Sequence, residues 1–202
     1  MDRAAVLTRR GLRLEYATLA WNLGEVIVLV AAAVSARSVA LAGFALDSGI
    51  EIYASLIVVW HLRGSADAER EHRAVRRIGT AFLGLAAFIA AQTVATLAAG
   101  IRPDSSALGI GWLSVTVVAM YGLAAAKRST GRETENVVLL TEAEVTFVDG
   151  SLALAILVGL VLNAALGWWW ADLAGGVVLI GYGVKEGLEA LRRAADDPPD
   201  AG

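Results

Sequence analysis

Apolar residues fill this chain in six long blocks, and the polar residues are gathered mostly in the intervals between them. Blocks of about 20 apolar residues have the length an α-helix needs to cross a bilayer. The pattern predicts spans over roughly 14–36, 38–62, 79–100, 108–126, 137–165 and 168–190. A soluble bundle would give each helix a polar stripe, and the third and fourth blocks have almost none. The expected fold class is all-α: a polytopic membrane protein with six transmembrane helices forming one domain over 1–195. The connections alternate in character. Arg37 alone, "IRPDSSA" and Gly167 are short, whereas "RGSADAEREHRAVRR" reads as a charged connector with some helical extension and "KRSTGRETEN" as a polar loop. The stretch 196–202 is acidic and Pro-containing and is expected to be a disordered tail. No soluble C-terminal domain is expected.

The charges are sorted by side. Of 17 basic residues only Arg37 and Arg102 fall in the short connections. The other 15 lie before the first span, in the two long connections or at the end of the sixth. An excess of Lys and Arg on one face marks the cytoplasmic side, so both termini are expected there. The expected setting is a bacterial-type plasma membrane, with Trp168, Trp169 and Trp170 at the outer interface. The first apolar run is too long, and lacks the small-residue site, for a cleavable signal peptide. Composition agrees: the 202 residues are 57% apolar, against about 45–50% in an average soluble domain. Mean hydropathy is +0.62.

With no cysteine in the chain, disulfides and thiolate metal sites are excluded. No basic patch with interleaved aromatics suggests nucleic acid as a partner. No Ser/His/Asp set, hydrolase motif or phosphate loop is visible, so an enzyme is not expected.

What the apolar blocks do contain is carboxylates. Glu25 lies in the first span, Asp47 and Glu51 in the second, Glu142, Glu144 and Asp149 in the fifth, and Asp172 near the outer end of the sixth. An acid at a helix centre costs about 2.5–3.5 kcal/mol on the insertion scale. Four facing lipid would cost on the order of 10 kcal/mol, comparable with the net stability of a whole fold. Because nearly all the cations are placed outside the spans, protons or metal ions are expected to offset that cost. Asp47 and Glu51, four residues apart, stack on one helix face. Glu142 and Asp149, seven apart, also share a face, whereas Glu144 is turned about 140° from Asp149. Two antiparallel helices would thus offer four carboxylates, a hard oxygen set suited to a divalent cation. Glu25, with Asn22 one turn before it, is placed to supply a further ligand or a proton-carrying group. Asp172 reads as a cap or anchor of the sixth helix, Glu144 as a helix-packing or protonated residue, and His61 and His72 as solvated. Gly43, Ser48, Gly49 and Gly150 read as small residues that let helices approach. "FALDSGIEIYASLIVV" and "TFVDGSLALAILVGLV" are weakly alike, as paired segments flanking a midplane site often are.

The segment "SVALAGFALDSGIEIYASLIVVW" resembles the second transmembrane helix of the cation diffusion facilitators, which exchange divalent metals for protons. Asp47 and Glu51 fall on that family's two metal-binding positions. "EAEVTFVDGSLALAILVGLVL" resembles the fifth helix, with Asp149 on the second position of a His-x-x-x-Asp pair and a preceding acid on Glu142. "GWWWADLAGGVVLIGYGVKEGLEAL" resembles the sixth. The "GFA-D" opening and the "GYGVK" segment are most similar to the branch that includes a vertebrate synaptic-vesicle zinc transporter. Val145 stands where the family commonly has His, and Glu51 stands in for Asp.

The resemblance implies a divalent-metal transporter, with Zn²⁺ first as cargo and Mn²⁺ or Fe²⁺ close behind, because an all-carboxylate set is harder than a His-containing one. It implies proton-coupled efflux, a homodimer in the bilayer, and a site drawn from Asp47, Glu51, Asp149, Glu142 and Glu25. No resident cofactor is expected, the metal being cargo. The alternative is a membrane interaction or regulatory protein that binds metal without moving it.

Overall fold

A computed structural model describes residues 3–62, 68–134 and 137–196. Among them it has six helices and no strand: α1 (Arg3–Ala36), α2 (Val39–Leu62), α3 (Ala68–Ala98), α4 (Ala107–Thr134), α5 (Val137–Leu166) and α6 (Trp170–Asp196). The side chains of His61 and His72, and the tail beyond Asp196, lie outside what is described. Four helical stretches, Arg9–Ala36, Arg76–Ala98, Ala107–Thr134 and Glu142–Leu166, are long and apolar enough to cross a membrane. Their outer faces carry large apolar side chains, with Val34 75%, Val118 73% and Ile27 67% exposed. Such faces belong against lipid, and the chain is an all-α polytopic membrane protein.

α1, α2, α4 and α5 form a bundle in which α1 packs on α2 and α4, α4 packs on α5, and α2 reaches across to α5. α3 and α6 pair with each other, and both lie against α2. Phe44, Leu41, Ile89, Leu113, Ile156, Leu160 and Leu179 are fully or almost fully buried in the core between them. The α3–α6 pair is glycine-packed: a Cβ on Gly187 would lie 2.7 Å from Leu83 Cγ, and one on Gly79 would lie 3.0 Å from the Gly187 carbonyl. Gly43 and Gly150 are also close contacts, against Ile89 and Met120, while Gly49 faces open space.

The three short connections meet at one end. Arg37 turns the chain in the left-handed region, φ 52°, and its guanidinium reaches Asp104 at 3.3 Å. Asp104 N–H donates to the Ala36 carbonyl (2.8 Å), and Asn163 Nδ2 to the Pro103 carbonyl (3.0 Å). Trp168 and Trp170 are exposed and stacked, whereas Trp169 packs against the core. Asp172 sits in the first turn of α6, yet its carboxylate caps α2 rather than α6. It accepts the Val39 N–H at 3.0 Å, the Ala40 N–H at 3.4 Å and the Ser38 hydroxyl. The tight turn at Gly167 brings the start of α6 beside that of α2, where free N–H groups need acceptors.

The opposite end departs from the sequence reading. "KRSTGRET" is not a loop but the last turns of α4. The Thr130 and Thr134 hydroxyls bond back to the carbonyls four residues earlier, and the buried stripe Leu113, Thr116, Met120, Ala124 continues through Lys127 to Gly131.

Candidate metal centre

α2 carries two acids near its middle, in sequence whose bulk is apolar. Asp47 is fully buried and Glu51 is 6% exposed. α5 runs the opposite way past α2, and its Asp149, fully buried, comes level with them. One carboxylate oxygen from each of the three lies within 4.8 Å of the others. Both oxygens of Asp47, both of Asp149 and Oε1 of Glu51 have no hydrogen-bond partner among the described residues. Two full charges at that separation repel by about 3.5 kcal/mol at an effective dielectric near 20. Three bare anions so placed demand positive charge among them, and their free oxygens point to a cation or protons as its source.

Around this trio Asn22 and Glu25 are hydrogen-bonded, although Asn22 Oδ1 has no partner among the described residues. Asn22, fully buried on α1, donates from Nδ2 to Glu51 Oε2 at 3.0 Å. Glu25, one turn further along α1, has three donors around it, of which Ser48 shares its single hydroxyl proton with the Phe44 carbonyl at 3.0 Å. Thr116 Oγ1 donates at 2.7 Å and Trp112 Nε1 at 3.2 Å to Oε1, and Ser48 Oγ at 3.2 Å to Oε2. Trp21 stacks on Trp112 at 5.4 Å and donates to Thr116, so the two indoles close this side of the network. Thus Glu25 is next to the trio through Ser48, the neighbour of Asp47, but its own oxygens are engaged.

Glu142 is engaged too, by a cation that the sequence reading put in water. Lys127 is fully buried, and its Nζ lies 3.3 Å from Glu142 Oε2, 3.2 Å from Glu15 Oε2 and 3.1 Å from Thr146 Oγ1. An ammonium has three N–H donors, and here each meets a different side chain, on α1 and α5. The expectation that ion pairs cannot neutralise the intramembrane acids therefore fails at Glu142. Sharing a face with Asp149 brings Glu142 into line with the trio, but the continuation of α4 supplies it with a closer partner. Glu15 and Lys127 were both missed. The signal for Lys127 is its place, at helical spacing, in the apolar stripe of α4. Glu144 points outward and pairs with Arg128 at 2.6 Å instead of packing between helices. Val145, where the resembled family carries a His, is half-buried.

The structure thus separates the five expected ligands. Asp47, Glu51 and Asp149 are brought together, Glu25 is bonded to α4 and α2 beside them, and Glu142 belongs to an ion triad. The family model of the cation efflux transmembrane domain matches residues 77–197. That segment includes Asp149 and Lys127 but not α1 or α2. No curated protein matches the chain.

Proposed function

The chain belongs to the cation efflux family, whose transmembrane domain accounts for more than half of its residues, and from that premise we propose that it exchanges a divalent metal cation for protons at a site formed by Asp47, Glu51 and Asp149. Membership carries the general activity, divalent cation transport through a helical membrane domain, and the family's members are transporters rather than enzymes. The observation that carries the finer reading is the trio itself: oxygens from α2 and α5 within 4.8 Å of one another, with both aspartates unpartnered and fully buried.

Metal must bind deprotonated carboxylates, so protons and metal compete for the same oxygens. That competition is the coupling: protons arriving from one side release the metal there. Alternating access would come from rocking of α1, α2, α4 and α5 about the site. Zn²⁺ leads as cargo, with Mn²⁺ and Fe²⁺ close behind because the donors are all oxygen. Efflux from the cytoplasm, cytoplasmic termini, a bacterial-type plasma membrane and a homodimer in the bilayer complete the proposal. The likeness of "GFA-D" and "GYGVK" to the branch with the synaptic-vesicle zinc transporter supports zinc as the first choice.

The test is metal uptake into proteoliposomes, with and without a proton gradient, for the wild type and for Asp47→Asn and Asp149→Asn. Gradient-driven uptake of Zn²⁺, Mn²⁺ or Fe²⁺ that both variants abolish is the expected result. Saturable binding with no uptake would instead make the chain a metal-binding membrane protein that does not transport.

A further inference from the structure

Three carboxylates leave a divalent cation at least one ligand short, and the other acids nearby are already engaged: Glu25 by three donors and Glu142 by Lys127. One buried oxygen beside the trio is not. Asn22 is fully buried, its Nδ2 donates to Glu51 Oε2, and its Oδ1 has no partner among the described residues. A buried amide oxygen left in that condition is costly unless something fills it part of the time. We infer that the amide oxygen of Asn22 is the fourth protein ligand of the transported cation, an inference that rests on the three-carboxylate site proposed above.

The distance supports the exchange. Turning the amide about its Cβ–Cγ bond puts Oδ1 where Nδ2 now lies, 3.0 Å from Glu51 Oε2. Two acceptors so close repel each other, unless a cation binds both. In an octahedral oxygen site with bonds near 2.1 Å, neighbouring ligands are about 3.0 Å apart, so Asn22 and Glu51 already stand at the separation that a shared metal requires. In one orientation, then, the amide N–H steadies the Glu51 carboxylate. In the other its oxygen joins Glu51 on the metal.

The consequence is selectivity. Asn22 contributes a hard, neutral oxygen, so the site has three negative charges and no nitrogen. Replacing it with imidazole would favour Zn²⁺ over Mn²⁺, because nitrogen is the softer donor.

The experiment is calorimetric titration of Mn²⁺ and Zn²⁺ into the purified, detergent-solubilised full chain, for the wild type, Asn22→Leu, Asn22→His and Asp149→Asn. It is joined to infrared difference spectra of wild-type protein carrying ¹³C-carbonyl asparagine side chains. The expected results are a loss of at least tenfold in affinity for both metals in Asn22→Leu and a fall of at least tenfold in the Mn²⁺/Zn²⁺ affinity ratio in Asn22→His. In the wild type, the label-sensitive amide band should move to lower frequency on Mn²⁺ binding. An amide band that stays put when metal binds overturns the inference, whether or not the variants fold. So does Asn22→Leu binding both metals as the wild type does, or Asn22→His with an unchanged ratio. In those cases Asp149→Asn would still abolish binding, and the three-carboxylate site would stand. Wild-type protein that binds neither metal removes both readings.

Discussion

Lys127 Nζ lies 3.3 Å from Glu142 Oε2, with both side chains inside the helix bundle and the second carboxylate, Glu15, 3.1 Å from the same ammonium. A cation and two anions withdrawn from water stand or fall together, because removing one partner leaves a buried charge uncompensated. Lys127→Met should therefore destabilise the protein by about 3–5 kcal/mol. Combining it with Glu15→Gln and Glu142→Gln should recover most of that loss. Thermal unfolding in detergent is the measurement, and a triple variant no more stable than Lys127→Met would show that the ion triad is not the cause. Glu142→Gln alone should change metal affinity by less than tenfold, in contrast to Asp149→Asn, if Glu142 serves Lys127 and not the cargo.

Glu25 invites a similar dissection. Its two oxygens satisfy Thr116, Trp112 and Ser48, groups on two other helices. Glu25→Leu should cost about 1–3 kcal/mol for each buried donor left unpaired. Trp112 should also lose the hydrogen bond at its indole nitrogen, a change that tryptophan fluorescence can follow. Glu25→Gln, which keeps one acceptor oxygen, should unfold at a temperature between the leucine variant and the wild type. If instead Glu25→Gln abolished metal binding as completely as Asp47→Asn, Glu25 would be a ligand and the network would be secondary.

The pH dependence of metal binding has a definite sign. A protonated carboxylate cannot ligate, so affinity should fall as pH falls and protons should be released on binding. The slope of log affinity against pH should be positive and no steeper than three, the number of clustered carboxylates. Titrations in buffers of different ionisation enthalpy count those protons directly. A flat profile would mean that metal and proton do not share these oxygens.

The α3–α6 pair should be sensitive to a single methyl. At Gly187 an added Cβ would meet Leu83 at 2.7 and 2.9 Å and the Gly79 carbonyl at 3.0 Å. Gly187→Ala should cost about 1–3 kcal/mol through overpacking, whereas Gly181→Ala, with nothing within 4 Å, should cost far less. Equal unfolding temperatures for the two variants would show that α3 and α6 separate without penalty.

Much of the candidate site was legible because its signals are local. Asp47 and Glu51 are four residues apart on one apolar helix, and a helix puts them on the same face whatever surrounds it. Asp149 stood out as an acid near the middle of another span. Glu142 shared Asp149's face just as plainly, yet its partner lies on α4, and the loop reading of "KRSTGRET" moved that partner into water. Glu15 was harder still, since the residue that explains it is 112 positions away. Asp172 looked like a cap of its own helix and caps another, because the N–H groups it meets come from a chain segment brought beside it by packing.

By itself the sequence determined that the chain is a bundle of membrane helices, that most cations lie to one side and that acids sit in the apolar blocks. Each of these is a property of residues within one segment, since the cost of placing a side chain in lipid or of stacking it on a helix face depends on that segment alone. Which acids are left to face one another was decided only by the tertiary structure. Glu142 has Lys127, Glu25 has Thr116, Trp112 and Ser48, and Asp47 and Asp149 have no hydrogen-bond partner among the described residues. Electrostatics and hydrogen bonding act across a few ångströms of space, so the fate of a buried carboxylate is set by whichever helix packs against it.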